Sequence, residues 1–125
     1  MTSEVAFELP SLSLVRRTVK KCAQQAGFSD RRSADIVLAA SEIASNSLMY
    51  GGGAATMRIW NEGRSLVCEF SDAGQIANPG AVTQPPSSDI GGRGLWVATQ
   101  MSDKMEIRSS PAGTVVRLSF LVDNA

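Results

Sequence analysis

The chain is predicted to fold as an α/β (α+β) two-layer sandwich, and three observations lead there. Two consecutive segments carry apolar residues at helical spacing, five short segments read as strands, and the order is strand, two helices, two strands, loop, helix, two strands. Runs of strands and runs of helices place helices on one side of a sheet, rather than the alternation of a doubly wound fold. Neither a P-loop nor a dinucleotide glycine pattern stands between a strand and a helix.

Each element has a local reason. Val5-Ala6-Phe7-Glu8-Leu9 is β-prone until Pro10 interrupts it, and Ser11 or Ser13 offers an N-cap for the helix that follows. Over 14–26, Leu14, Val15, Thr18 (by its methyl), Val19, Cys22, Ala23 and Ala26 recur at three and four, with Arg16, Arg17, Lys20 and Lys21 largely opposite. Gly27 ends that helix. Ser29 or Asp30 caps a second, in which Ile36, Val37, Ala40, Ile43, Ala44 and Leu48 keep helical spacing until Gly51-Gly52-Gly53. Residues 55–60 and 65–70 then alternate around a tight turn at Asn61-Glu62-Gly63-Arg64. Residues 73–92, rich in Gly, Pro and Ser, have no sustained period and suit a lid. A short helix over about 92–101 precedes strands at 105–109 and 115–122, joined by a turn at Ser110-Pro111-Ala112-Gly113. No repeat or change of composition divides the chain, so 1–125 is expected to be one domain.

Composition removes several function classes. Lys+Arg and Asp+Glu are both 12, so no overall basic field draws a nucleic-acid backbone. Histidine is absent, which excludes His-based triads, His-ligated zinc and phosphohistidine formed on this chain. Cys22 and Cys68 lie far apart in apolar runs without the spacing of a zinc or redox motif, and both are expected to be buried thiols in a reducing compartment. No window approaches a membrane span and the N-terminus carries no signal-like pattern, so a cytoplasmic location is expected, with neither membrane nor nucleic acid as partner.

Three features carry chemistry. Glu42 and Asn46, spaced i, i+4, lie on one helix face, and their neighbours Ala39, Ala40, Ile43, Ala44, Ser45 and Ser47 are apolar or small, which argues against a merely solvated face. Asp72 closes a strand before Ala73 and Gly74; such an Asp is commonly a turn former, and it is also where a carboxylate can accept from an exocyclic amine with a glycine admitting the ligand. Gly91-Gly92-Arg93-Gly94-Leu95 sits directly before a helix, where exposed backbone N–H groups and the dipole favour phosphate. Each feature alone is common, and their order along the chain is what distinguishes them.

In that order they resemble a known family. Glu42-Ile-Ala-Ser-Asn46 resembles the N box of the GHKL, or Bergerat-fold, ATPases; Asp72-Ala-Gly74 resembles their first glycine box, Gly92-Arg-Gly94-Leu95 their second, and Gly113-Thr114 their late Thr motif. The match spans nearly the whole chain. With an opening Phe7-Glu-Leu-Pro strand, a compact lid and no preceding dimerisation helices, it is most similar to the anti-sigma factor serine/threonine kinases. Asn46-Ser47 and Tyr50-Gly51 stand where the family often has Asn-Ala and a His-Gly ending, and Ile76 stands where a further glycine is usual.

The resemblance implies a mixed, mainly antiparallel sheet with about three helices on one face and a lid over about 73–92. It implies ATP and Mg²⁺ as cofactors, with Asn46 holding the metal and Glu42 as the general base toward an acceptor serine, or its orienting group. Asp72 would bond the adenine amine, Thr114 would help through water, Gly74 would admit the base, and Gly92, Arg93, Gly94 and Leu95 would wrap the phosphates. Its partners would be a sigma factor and an anti-anti-sigma (STAS-domain) protein, with Arg16 the partner-binding arginine and a homodimer possible. An ATP-sensing binding module of a larger signalling protein, without efficient transfer, fits the same motifs.

Overall fold

The computed structural model describes residues 2–8, 11–50, 53–74 and 90–122. Its elements are β1 (Thr2–Glu8), α1 (Leu12–Ala26), α2 (Asp30–Tyr50), β2 (Ala54–Glu62), β3 (Ser65–Asp72), α3 (Ile90–Met101), β4 (Lys104–Ser110) and β5 (Gly113–Leu121). They follow the order read from the sequence. Of the expected lid, 75–89 lie outside the described residues. The strands form one sheet in the order β1-β2-β3-β5-β4, and every described pairing is antiparallel.

Strand alternation decides where the helices go. Phe7 on β1, Met57 and Ile59 on β2, Cys68 and Phe70 on β3, and Leu118 and Phe120 on β5 all turn to one face and are buried there. Phe7 and Phe70 meet edge to face, with ring centroids 6.4 Å apart. The opposite face is mostly polar, with Trp60, Val67 and Val115 among its apolar members. In register across all five strands it carries Glu4, Arg58, Glu69, Arg117 and Glu106, a row of alternating charge. Arg117 Nη2 donates to Glu69 Oε2 at 2.6 Å, Arg58 pairs with Glu4 at 3.6 Å, and the Arg117 guanidinium lies 5.4 Å from the Trp60 ring centroid. A face dominated by such a charge row would have to be desolvated to be covered, and the helices take the other one.

Helix α2 packs between α1 and α3 and reaches β2, β3 and β5. It buries Ile36, Ala39, Ala40, Ile43 and Ala44 at three- and four-residue intervals. Val15, Val19 and Ala23 form the buried stripe of α1. Leu14, counted with that stripe from its spacing, is instead 43% exposed. It sits one position before Val15, about 100° around the helix, beyond the narrow stripe that two helices and a sheet can cover. Gly27 ends α1 in the left-handed conformation, its N–H bonded to Gln24 O and that of Phe28 to Ala23 O. Cys68 is fully buried and burial pushes its thiol pKa up, whereas Cys22 is only partly buried, contrary to expectation, because it lies beside the stripe.

The β4–β5 hairpin turns through Pro111 and Ala112, and Gly113 opens β5 at φ +137°. A Cβ on Gly113 would collide with the Asp72 carbonyl oxygen of β3. Replacing Gly113 by Ala is thus expected to cost about 1–3 kcal/mol through backbone strain and this contact. Urea denaturation measures it; a loss within about 0.5 kcal/mol, the range of an ordinary surface substitution, would contradict the geometry.

Candidate functional site

Topology gathers the singled-out residues at one end of the sheet. Asp72 ends β3; β5 runs antiparallel to β3, so its first residues, Gly113 and Thr114, lie at that same end. The start of β2 pairs there too, with Ala55 opposite Asp72. Because α2 leads directly toward β2, its last turns come to this end. Helix α3 finishes beside the far end of β5, where Asp103 N–H bonds Ser119 O, so its first turn points back toward Asp72.

On α2, Glu42 and Asn46 are both half-buried. They lie along one margin of the stripe formed by Ile36, Ala39, Ile43 and Ser47, so neither faces bulk water fully nor enters the apolar core. Arg16 on α1 is exposed, and its Nη1 donates to Ser41 Oγ at 3.3 Å, beside the turn of α2 that carries Glu42.

At the strand ends the polar groups are closely tied. Asp72 Oδ1 accepts the Gly74 N–H at 2.8 Å. Thr114, 3% exposed, donates its hydroxyl to the Gly74 carbonyl at 2.7 Å. Gly74 is therefore held through both its N–H and its C=O, and Asp72 keeps its second carboxylate oxygen. A buried hydroxyl such as that of Thr114 needs a partner, and this contact supplies one.

Helix α3 begins at Ile90 and includes Gly92, Arg93, Gly94 and Leu95, so the glycine cluster lies in its first turns rather than ahead of it. The side chains of 90–94, that of Arg93 included, lie outside the described residues; Leu95 is half-buried and packs on the core. The far end of α3 is clamped. Arg32, near the start of α2, donates through Nη1 to Met101 O at 2.7 Å and through Nη2 to Asp103 Oδ2 at 3.1 Å, with its guanidinium 5.6 Å from the Phe120 ring centroid.

No group of three or more His, Cys, Asp or Glu that could hold a metal is found among the described residues. A preassembled metal cage is not what these residues make. Asn46 follows Glu42 by one helical turn on the same margin of α2, and an amide oxygen and a carboxylate are donors of the type magnesium takes, an ion that keeps several waters and few protein ligands alongside phosphate oxygens. No helix among the described residues is long and apolar enough to cross a membrane.

Two residues have no part in the sequence reading: one touches this arrangement, and the other anchors α3 from its far end. Ser109 Oγ lies 3.0 Å from Thr114 Oγ1. Counting back through the two-residue turn at Pro111-Ala112 pairs Ser110 with Gly113 and Ser109 with Thr114, so the hairpin register could have found it. Arg32 carries no such signal, since its partners are 69 and 71 residues away.

Residues 5–120 match the family of histidine kinase-like ATPase domains. Solved structures of similar fold include the RsbU and RsbW domains of Rv1364c from Mycobacterium tuberculosis, with a TM-score of 0.73 at 18% identity over 97% of this chain. This chain spans 32% of that one. The SiaB-SiaC complex from Pseudomonas aeruginosa gives a TM-score of 0.68 at 12% identity, covering 93% of this chain and 88% of that one. The Acinetobacter baumannii histidine kinase AdeS gives 0.63 at 9% identity, over 98% of this chain and 68% of that one. A comparison with curated proteins returns no match. The family match over almost the whole chain, together with an antiparallel sheet covered on one face by three helices, establishes that the protein belongs to the histidine kinase-like ATPase domain family.

Proposed function

We propose that this chain binds Mg-ATP at the end of the sheet marked by Asp72 and acts as a serine/threonine protein kinase of anti-sigma factor type. It binds a sigma factor and phosphorylates an anti-anti-sigma (STAS-domain) protein. The observation that carries the nucleotide part is the joint fixing of Gly74 by Asp72 and Thr114 at the end of β3, where the half-buried Asp72 uses one carboxylate oxygen for Gly74 and has a second to accept with. Family membership supports ATP as the nucleotide. The fold shared with an RsbW domain and with SiaB, solved as a complex with SiaC, supports a protein partner.

Residue by residue, Asp72 accepts the adenine amine and Thr114 assists through a water, while Gly74 lets the base approach. Gly92 and Arg93, in the first turn of α3, offer backbone N–H groups and positive charge to the phosphates, and Gly94 and Leu95 follow them along the same turn of helix. Asn46 holds the magnesium. Glu42, four residues before it on the same face, takes the proton of the acceptor hydroxyl or orients it. When bound, Mg-ATP supplies the transferable phosphoryl group and the charge that neutralises its oxygens; the chain's own task is positioning.

Magnesium with ATP is expected to raise the melting temperature, by the equivalent of about 2.7 kcal/mol at a hundredfold excess over Kd. A melting curve unmoved by millimolar nucleotide and magnesium would refute the site.

Chemistry separates from binding in two variants. Glu42→Ala is expected to keep ATP affinity and lose transfer by roughly 10²–10⁴-fold, the usual worth of a general base, whereas Asn46→Ala loses magnesium-dependent binding too. Single-turnover assays with labelled ATP and candidate anti-anti-sigma proteins measure both. Transfer by Glu42→Ala at the parent rate would remove the catalytic role and favour an ATP-sensing module without transfer.

Arg16→Ala is expected to weaken partner binding at low salt, mostly through a slower association rate, and to leave ATP affinity unchanged. Titration of the partner at low and moderate salt, with the dimer state followed in parallel, tests this. Equal partner affinity at low salt would return Arg16 to an ordinary surface residue.

A further inference from the structure

We propose that Arg32 is a positioning residue for the phosphate subsite: from the far end of α3 it fixes the direction in which that helix presents its first turn. The inference rests on the ATP-binding reading above, in which the first turn of α3 meets the phosphates.

Helix α3 is lightly held by its own composition. It carries Gly92 and Gly94, and glycine is the poorest helix former after proline; its last turn has no basic residue. Ala98 is its one fully buried residue among those described, with Leu95 and Met101 packed partly against the core. So sparse a stripe sets which side of the helix turns inward, and it constrains tilt less.

Arg32 supplies what α3 lacks. It stands in the first turn of α2, whose stripe from Ile36 to Ala44 is buried, so its own base is firm. Its Nη1 donates to Met101 O at 2.7 Å and its Nη2 to Asp103 Oδ2 at 3.1 Å. That same oxygen of Asp103 accepts the Leu121 N–H at 2.7 Å, and the guanidinium lies 5.6 Å from the Phe120 ring centroid. One planar fork therefore grips a carbonyl within α3 and a carboxylate just beyond it. It also puts a cation at a helix C-terminus, where the dipole favours one.

The backbone bond from Asp103 N–H to Ser119 O does not depend on Arg32. It lies past the helix end, however, and holds the chain at one point, about which α3 can pivot. Arg32 adds a second point, on the helix itself. At about 1.5 Å per residue the first turn lies roughly 14 Å from Met101, so a pivot of about 5° moves it by about 1 Å. Hydrogen bonds from backbone N–H groups tolerate a spread of only about 0.5 Å, and a shift of that size weakens those made to phosphate. Asp72, Gly74 and Thr114 belong to the strand ends and not to α3, so the base subsite keeps its geometry.

The experiment compares Kd for ATP with magnesium and Kd for adenosine, by ligand-observed NMR, on the parent chain, Arg32→Met and Arg32→Lys. The preference for ATP over adenosine is expected to fall about five- to tenfold in Arg32→Met, the worth of one weakened hydrogen bond, while adenosine affinity stays near that of the parent. Arg32→Lys keeps the charge without the planar fork. It is expected to lose about two- to threefold of the preference, part of one hydrogen bond, and it carries the test if the methionine variant does not fold. A purely structural role would lower the melting temperature and weaken both ligands by one factor. An unchanged preference in Arg32→Met, or in Arg32→Lys where that alone folds, overturns the inference and leaves the site standing. A parent that binds adenosine as tightly as ATP removes the phosphate subsite and the inference with it. A parent that binds neither overturns the ATP-binding reading as well.

Discussion

A helix that must bury a stripe against a sheet can present polar chemistry only along the stripe's margin, and α2 lives under that constraint. Ile36, Ala39, Ala40, Ile43 and Ala44 are essentially inaccessible. The alanines let the helix approach the sheet, and the two isoleucines fill the space between, each worth about 1.5–3 kcal/mol when fully buried. A shift of the buried stripe by one residue would turn α2 by about 100° and bring Glu42 toward the core, where an unpaired charge costs several kcal/mol. Hydrophobic fit thereby sets the direction of Glu42 and Asn46 more firmly than any hydrogen bond of their own. The flanks of α2 are fixed by its neighbours, α1 on one side and α3 on the other.

At the two ends of the sheet, polar contacts finish what apolar packing leaves undetermined. Burial alone would leave α3 free to slide along α2. Arg32 removes that freedom by bonding the last carbonyl of α3 and Asp103 together, while Asp103 Oδ2 also accepts the Leu121 N–H at 2.7 Å. One guanidinium thus joins the start of α2 to the ends of α3 and β5, and the first turn of α3 at the opposite end takes its place from that anchor. Near Asp72 the equivalent work falls to Thr114 and Gly113. Thr114 satisfies its buried hydroxyl twice, whereas Ser33 Oγ, buried on α2, has no partner among the described residues. An unpaired buried hydroxyl costs about 1–3 kcal/mol, so the difference measures how fully the polar groups at the strand ends are organised.

Much of this was legible in the sequence because it is periodic. The buried residues of α2 and the alternation along β2 and β3 follow directly from spacings of three to four and of two, and element order alone gave the two-layer arrangement. Edges were less legible. Leu14 matched the helical stripe by spacing yet lies outside it, because spacing does not tell how wide a stripe the neighbours cover. Cys22 met the same fate. Of the site, Glu42, Asn46, Asp72 and Thr114 were named from local motifs, each a short string of neighbours. Ser109 required a hairpin register, and Arg32 required knowing that α2 and α3 run antiparallel. These are facts of tertiary pairing, which no window of sequence contains.

The chain's electrostatics separate its two surfaces in a way that net charge conceals. Twelve bases balance twelve acids overall, but the balance is not local. On the open sheet face, Glu4, Arg58, Glu69, Arg117 and Glu106 alternate in one row, so each cation has an acid in the next strand. Such a face has little field beyond a few ångströms, since opposite charges at close range cancel before the roughly 8–10 Å over which salt screens. Helix α1 is the reverse case. It carries Arg16, Arg17, Lys20 and Lys21 with no acid in its own sequence, and among the described residues Arg16 bonds the neutral Ser41 hydroxyl. Asp30 of α2 shares a surface hollow with Lys20, but no ion pair closes on this cluster among the described residues, and its field reaches solvent beside the turn of α2 that bears Glu42. An acidic partner drawn in by long-range attraction would therefore meet α1 rather than the sheet, and would arrive next to the carboxylate proposed to act on its hydroxyl.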